Sequence, residues 1–236
     1  MSERFNFVVG KTGADARPGG LILVAVLALT LFYYLARVDT IGVTTLSRAW
    51  HPMTGSPLAH GSHNLAAGLM LGLIPVLCAR YLCGLSWRGL GLGLGSRKRG
   101  LVWLAIGIPV AILAAKFSAT QPAMRAVSPL NPDLTAAPVS FSLHALTQFA
   151  YYGAWEVLFR GVLLFGLRDR IGFANANILQ TALSVVAHFS RPFPETLAAI
   201  PAGLAFGGIA GRTRSIWYVA IIHWVGGTAQ DWYIVA

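Results

Sequence analysis

The chain carries seven apolar stretches of near membrane-crossing length, at Gly20 to Ala36, His63 to Leu82, Leu101 to Phe117, Phe141 to Leu167, Phe173 to Phe189, Thr196 to Gly211 and Ser215 to Val235. No water in a bilayer core can satisfy backbone N–H and C=O groups, so a lipid-spanning segment must be a helix or part of a closed barrel. Continuous apolar runs of ~20 residues select the helix. Hydrophobic residues make up 56% of the chain and charged residues 11%, far below the roughly 25% charged residues of a soluble domain. The expected fold is therefore all-α: a polytopic membrane helix bundle of about seven transmembrane helices, with residues 1–236 forming one membrane domain.

The net charge of +10 has a topological explanation. With seven crossings, twelve Lys and Arg residues, including Arg97, Lys98 and Arg99, fall on the side of the N-terminus. Five fall on the other side, and Arg160 lies inside the membrane. This bias places the N-terminus in the cytoplasm and the C-terminus outside a cell membrane. The partners expected are the lipid bilayer and a membrane protein or peptide, with no nucleic acid. Arg4, Lys11 and Arg17 precede an apolar run that ends in LFYYLARVDT. That ending lacks a small-residue cleavage site, so the run reads as an uncleaved first span.

Several features carry ordinary readings. Cys78 and Cys83 lack metal-ligand spacing and read as small packing residues. The run GLGLGLGSRKRG before Leu101 has neither the P-loop Lys and Ser/Thr pattern nor a preceding strand, and reads as a basic turn. Residues 37–62 and 119–140, interrupted by prolines, read as loops, and His60 and His63, in HGSH, read as residues facing the first of them. No HExxH motif occurs, and Trp87, Trp103, Trp217, Trp224 and Trp232 read mainly as interfacial anchors.

Polar groups inside apolar segments require an explanation. Glu156 and Arg160, four residues apart, share a helix face and can neutralise each other. His188 lies in LSVVAHF and His223 in IIHW. A carboxylate and two imidazoles converging from three helices could activate a water, with the carboxylate as general base and the histidines holding the oxyanion. The same trio could ligate zinc, or the pair could be a packing device. Arg160 beside the carboxylate disfavours a dication, so no cofactor is expected.

The block from Glu156 to His223, about a third of the chain, resembles the CPBP family of intramembrane endopeptidases, which includes CAAX-processing and bacteriocin-processing proteins. The resemblance runs from WEVLFRGVLLFGLRDRIG against the family's EExxxR helix, through LSVVAHF against its FxxxH helix, to AGLAFGGIAGRTRSIWYVAIIHW against its glycine-rich helix, basic turn and HxxxN helix. It implies a catalytic core at residues 141–235 and a glutamic-type hydrolase with Glu156, Arg160, His188 and His223 as catalytic residues. Zinc is disfavoured, although some members have been called metalloproteases. The substrate implied is a membrane-embedded or membrane-proximal segment, and some bacterial relatives are linked to C-terminal sorting signals.

The family pattern is departed from at three positions. Trp155 replaces the first glutamate, Ser184 the phenylalanine and Gly227 the asparagine, with Thr228, Gln230 or Asp231 as substitutes for the last. The alternative implied is a scaffold that retains the fold without activity. Asp231 is expected near the outer interface, and His188 near the outer end of its span. That depth conflicts with a site shared with Glu156 unless the helix limits differ from those given.

Overall fold

The computed structural model describes residues 17–36, 57–130 and 134–236. The reading of Arg4 and Lys11 and most of the 37–62 loop lie outside the described residues. Helix α1 is Arg17–Leu31, continued by a wide π turn at Phe32–Ala36. Helix α2 runs through Pro57–Ala67, a π segment Gly68–Leu73 and Ile74–Tyr81. Next come α3 (Arg97–Ala119) and the single turn α4 (Pro122–Arg125). Helix α5 joins Pro138–Glu156, a π segment Val157–Phe165 and Gly166–Ile171. The chain ends with α6 (Phe173–Ala187), α7 (Phe193–Thr213) and α8 (Trp217–Val235). No strand occurs among the described residues, and the fold is an all-helical membrane bundle.

Among the described residues four helical segments, Pro18–Leu35, His63–Tyr81, Arg97–Ser118 and Phe193–Thr213, are long and apolar enough to cross a membrane. Helices α5 and α8 bury ionisable groups, His144, Glu156 and Arg160 on the first and Asp231 on the second, while α2 and α6 bury His63, Asn64, Gln180, Thr181 and Ser184. Helix α5 is the spine: every residue from Val157 to Phe165 is buried, against Leu21, Ala25, Leu71, Ala79 and Leu90 of the surrounding elements. The apolar side chains of α3 point outward instead, with Leu101, Val110, Leu113 and Phe117 more than half exposed. That distribution suits a lipid-facing helix, where apolar surface needs no burial in protein.

Small residues set the helix spacing. Gly203, Gly207 and Gly211 on α7 face Thr181, Asn177 and Phe173 of the antiparallel α6, and a Cβ on any of the three would lie within 2.8 Å of those side chains. Gly100 and Gly107 bring α3 against Tyr218 and Ile222 of α8 in the same way. Close backbone approach is how helices associate where lipid removes the hydrophobic drive.

The glycine-rich turn is a docked loop. The Ile216 amide donates to the Gly91 carbonyl, the Ser96 amide to the Thr213 carbonyl, Trp217 Nε1 to the Leu92 carbonyl and Tyr218 Oη to the Leu94 carbonyl. Gly95, at φ 52°, sits where a Cβ would meet the Thr213 carbonyl at 2.0 Å. Positive φ and this approach both demand glycine.

Two expectations change. His63 is no loop residue: α2 begins at Pro57, and His63 is buried, its ring stacked on Tyr151 5.6 Å away. The helix limits also resolve the depth of His188. Helix α5 continues to Ile171, fifteen residues past Glu156, and after Gly172 (φ 80°) the chain reverses into α6, whose Phe173 lies fifteen residues before His188. Equal lengths of antiparallel helix return the chain to its starting depth, about 22 Å back at 1.5 Å per residue. His188, just past the end of α6, is thereby level with Glu156.

Candidate active site

Helix α5 presents His144, Gln148, Tyr152, Glu156 and Arg160 at intervals of four residues, and α8 presents His223, Gly227 and Asp231 at the same interval. This spacing keeps each set on one helix face. The helices are antiparallel, so the faces meet in rungs.

The first rung is an ion-paired dyad. Glu156 is fully buried and Arg160 is 2% exposed. Arg160 Nη1 donates to Glu156 Oε1 at 3.2 Å and its Nε lies 3.2 Å from Oε2. His223 Nδ1 lies 2.7 Å from the same Oε1. A carboxylate only accepts, so Nδ1 carries the proton and donates, leaving Nε2 as the acceptor. The guanidinium also lies over the Phe206 ring, 5.4 Å from its centroid.

In the second rung Tyr152 packs its ring on His223, centroids 4.6 Å apart, and its hydroxyl reaches the backbone of Gly227. In the third, Asp231 Oδ2 accepts from His144 Nε2 at 2.8 Å and from Gln148 Nε2 at 3.0 Å. Asp231 is therefore buried, contrary to the interfacial position expected from sequence, because His144 and Gln148 compensate its charge inside the bundle.

A cavity of about 470 Å³ opens beside these rungs, lined by Tyr152, Trp155, His188, His223, Gly227 and Asp231 among others. Its opposite walls are small and apolar: Ala111, Ala114 and Ala115 from α3, and Ala198, Ala199 and Ala202 from α7. His188 Nδ1 donates to the Ser184 carbonyl at 2.7 Å, so its Nε2 is also an acceptor. Tyr33 of α1 donates to the adjoining Ala187 carbonyl. Arg191 and Glu195 close one end as an ion pair, Nε 3.0 Å from Oε2, with Arg191 also donating to Ser128 Oγ.

Glu156, Arg160, His188 and His223 thus gather in one region, in unequal positions. Both histidines line the cavity. Glu156 is sealed behind His223, and its partners are Arg160 and His223. Trp155, at the place of the missing carboxylate, stands edge-on to the His188 ring at 5.3 Å. Of the substitutes considered for the residue absent at 227, Gln230 reaches Ser128 and Asp231 serves the third rung. The group that occupies the space beside Gly227 is Tyr152.

Sequence reasoning missed Tyr152, Gln148 and His144. The four-residue period of polar groups through Phe141 to Leu167 was the available signal.

As for a metal, Glu156 Oε1 accepts from Arg160 and His223 and Oε2 lies in charge contact with Arg160 Nε at 3.2 Å, so the open donors facing the cavity are the two Nε2 atoms. Among the described residues no group of three His, Cys, Asp or Glu side chains is arranged to hold an ion. The donor set falls short of the three protein ligands of a catalytic zinc site.

Residues 138–228, from the start of α5 into the middle of α8, match the family model described as Rce1-like, a type II CAAX prenyl endopeptidase. No curated protein and no solved structure matches the chain.

Proposed function

We propose, from the match of residues 138–228 to the Rce1-like family of CAAX endopeptidases, that the chain is an intramembrane protease with a metal-independent mechanism in which a histidine held by Glu156 is the general base. The observation that carries it is the 2.7 Å contact between His223 Nδ1 and the sealed Glu156 carboxylate. A carboxylate fixed on one imidazole nitrogen sets the tautomer and stabilises the imidazolium that forms when the other nitrogen takes a proton.

Water enters between the Nε2 atoms of His223 and His188. His223 Nε2 takes one proton as the water oxygen bonds to the scissile carbonyl carbon. The tetrahedral intermediate then collapses, the C–N bond breaks, and His223 returns the proton to the departing amine nitrogen. The products are a carboxylic acid and an amine, and passage of the second water proton from the acid to the amine leaves a carboxylate and an ammonium. Glu156 touches no substrate in this scheme, so its glutamic character lies in positioning and charge. Arg160 compensates the carboxylate and fixes its rotamer.

The substrate proposed is a membrane-embedded or membrane-proximal peptide segment entering the apolar walls of the cavity. A C-terminal sorting segment meets that description.

The test compares terminal peptides of membrane proteins from host cells with and without the chain, and follows the precursor so identified in cells making Glu156→Gln at equal membrane abundance. Cleavage is expected to fall at least ~100-fold, the low end for general-base catalysis. Processing at the parent's rate would refute the mechanism. A parent that changes no terminus in its host would favour the scaffold reading, to which Trp155 in place of an acid already points.

A further inference from the structure

We propose that the Tyr152 hydroxyl is the hydrogen-bond donor to the carbonyl oxygen as it becomes an oxyanion, and that position 227 is glycine to leave that hydroxyl its place. The inference rests on the reading of the cavity as a peptide-cleaving site and assigns it a group which the base mechanism lacks.

The first argument is an account of donors. Both imidazoles spend their Nδ1–H groups elsewhere, His188 on the Ser184 carbonyl and His223 on Glu156. Each neutral ring therefore offers the cavity a lone pair. Two acceptors can grip a water, but the oxygen of a tetrahedral intermediate needs donors. The guanidinium and amide donors on the cavity wall are committed, Arg191 to Glu195, Val127 and Ser128, Gln148 to Asp231, Asn64 to Thr147, Gln121 to Thr120 and Gln230 to Ser128, and the Trp155 indole is packed edge-on to His188. The Tyr152 hydroxyl makes no hydrogen bond among the described residues.

The second argument is position. Tyr152 lies one helical turn from Glu156, and Gly227 one turn from His223, so the phenol sits in the rung beside the proposed base. Its ring is fixed against His223 at 4.6 Å and edge-on to Tyr151 at 5.3 Å. A Cβ on residue 227 would lie 1.8 Å from the phenol oxygen and 2.2 Å from Cζ. Even alanine is excluded, so the phenol occupies the volume that any side chain one turn after His223 would fill. Tyrosine here carries a donor where phenylalanine would fill the same space equally well. The phenol keeps its proton throughout: the hydrogen bond strengthens as charge develops on the carbonyl oxygen, and no atom is transferred.

The test uses the full chain in proteoliposomes and a peptide spanning the cleavage site found in the host comparison, with Tyr152→Phe and Glu156→Gln assayed beside the parent. Phenylalanine preserves the packing on His223. We expect kcat to fall ~10²–10³-fold, as for loss of one oxyanion donor, with KM and melting temperature unchanged. A second variant carries 3,5-difluorotyrosine at position 152, nearly the same size but a more acidic phenol. Its activity should fall at a lower pH than the parent's, a shift that a space-filling role would not produce. If Glu156→Gln is inactive while Tyr152→Phe matches the parent, or the fluorinated variant keeps the parent's pH profile, the donor role is wrong and the base mechanism stands. If Glu156→Gln matches the parent, or the parent cleaves no host protein, the mechanism falls and takes this assignment with it.

Discussion

Replacing Arg160 with methionine should destabilise the bundle severely, and the size of the loss follows from its surroundings. Arg160 is 2% exposed and faces a carboxylate with no exposure at all, through two contacts of 3.2 Å. Methionine matches the stem but leaves Glu156 with one imidazole N–H as its partner, out of reach of water. Breaking one side of a buried ion pair costs about 3–5 kcal/mol, most of it the penalty of the charge left behind. At about 2–4 °C per kcal/mol for a chain of this size, the melting temperature falls by about 6–20 °C. The double variant Glu156→Gln, Arg160→Met replaces both charges with neutral groups and should lose less than Arg160→Met alone, since the cost lies in the orphaned carboxylate. Cys83, a buried thiol, provides the assay: a thiol-reactive dye reports its exposure on heating in detergent. Arg160→Met melting within about 2 °C of the parent, or a double variant weaker than both single ones, would refute the argument.

Two further outcomes follow. Because among the described residues no group of three side chains is arranged to hold an ion, cleavage should survive exhaustive chelation; activity abolished by a chelator and restored stoichiometrically by zinc would overturn this. The asymmetry of Lys and Arg predicts that Thr135→Cys is labelled from outside intact cells and Lys98→Cys is not; the reverse pattern would invert the topology.

The helices were legible in the sequence because lipid imposes a simple rule on composition: each apolar run became a helix to within a few residues at most ends. Helix α2 was the exception, since Pro57 to Ser62 is polar enough to pass for loop. Glu156, Arg160, His188 and His223 stood out because charges and imidazoles are costly in apolar runs. Tyr152 and Gly227 did not, since neither residue type is unusual in a membrane helix and their meaning lies in contact between two helices. The burial of Asp231 was hidden for the same reason: it depends on His144 and Gln148, whose alignment opposite position 231 is a property of the α5–α8 pairing.

That pairing also limits how the cavity can admit a substrate. Its three rungs repeat every four residues, so α5 and α8 could re-engage only after a slide of a whole turn, about 5.4 Å. Such a step would set Glu156 opposite Gly227 and Tyr152 opposite Asp231, stripping the carboxylate of its imidazole and crowding a phenol against an acid. A ratchet between these helices is thus closed to this protein as a gate.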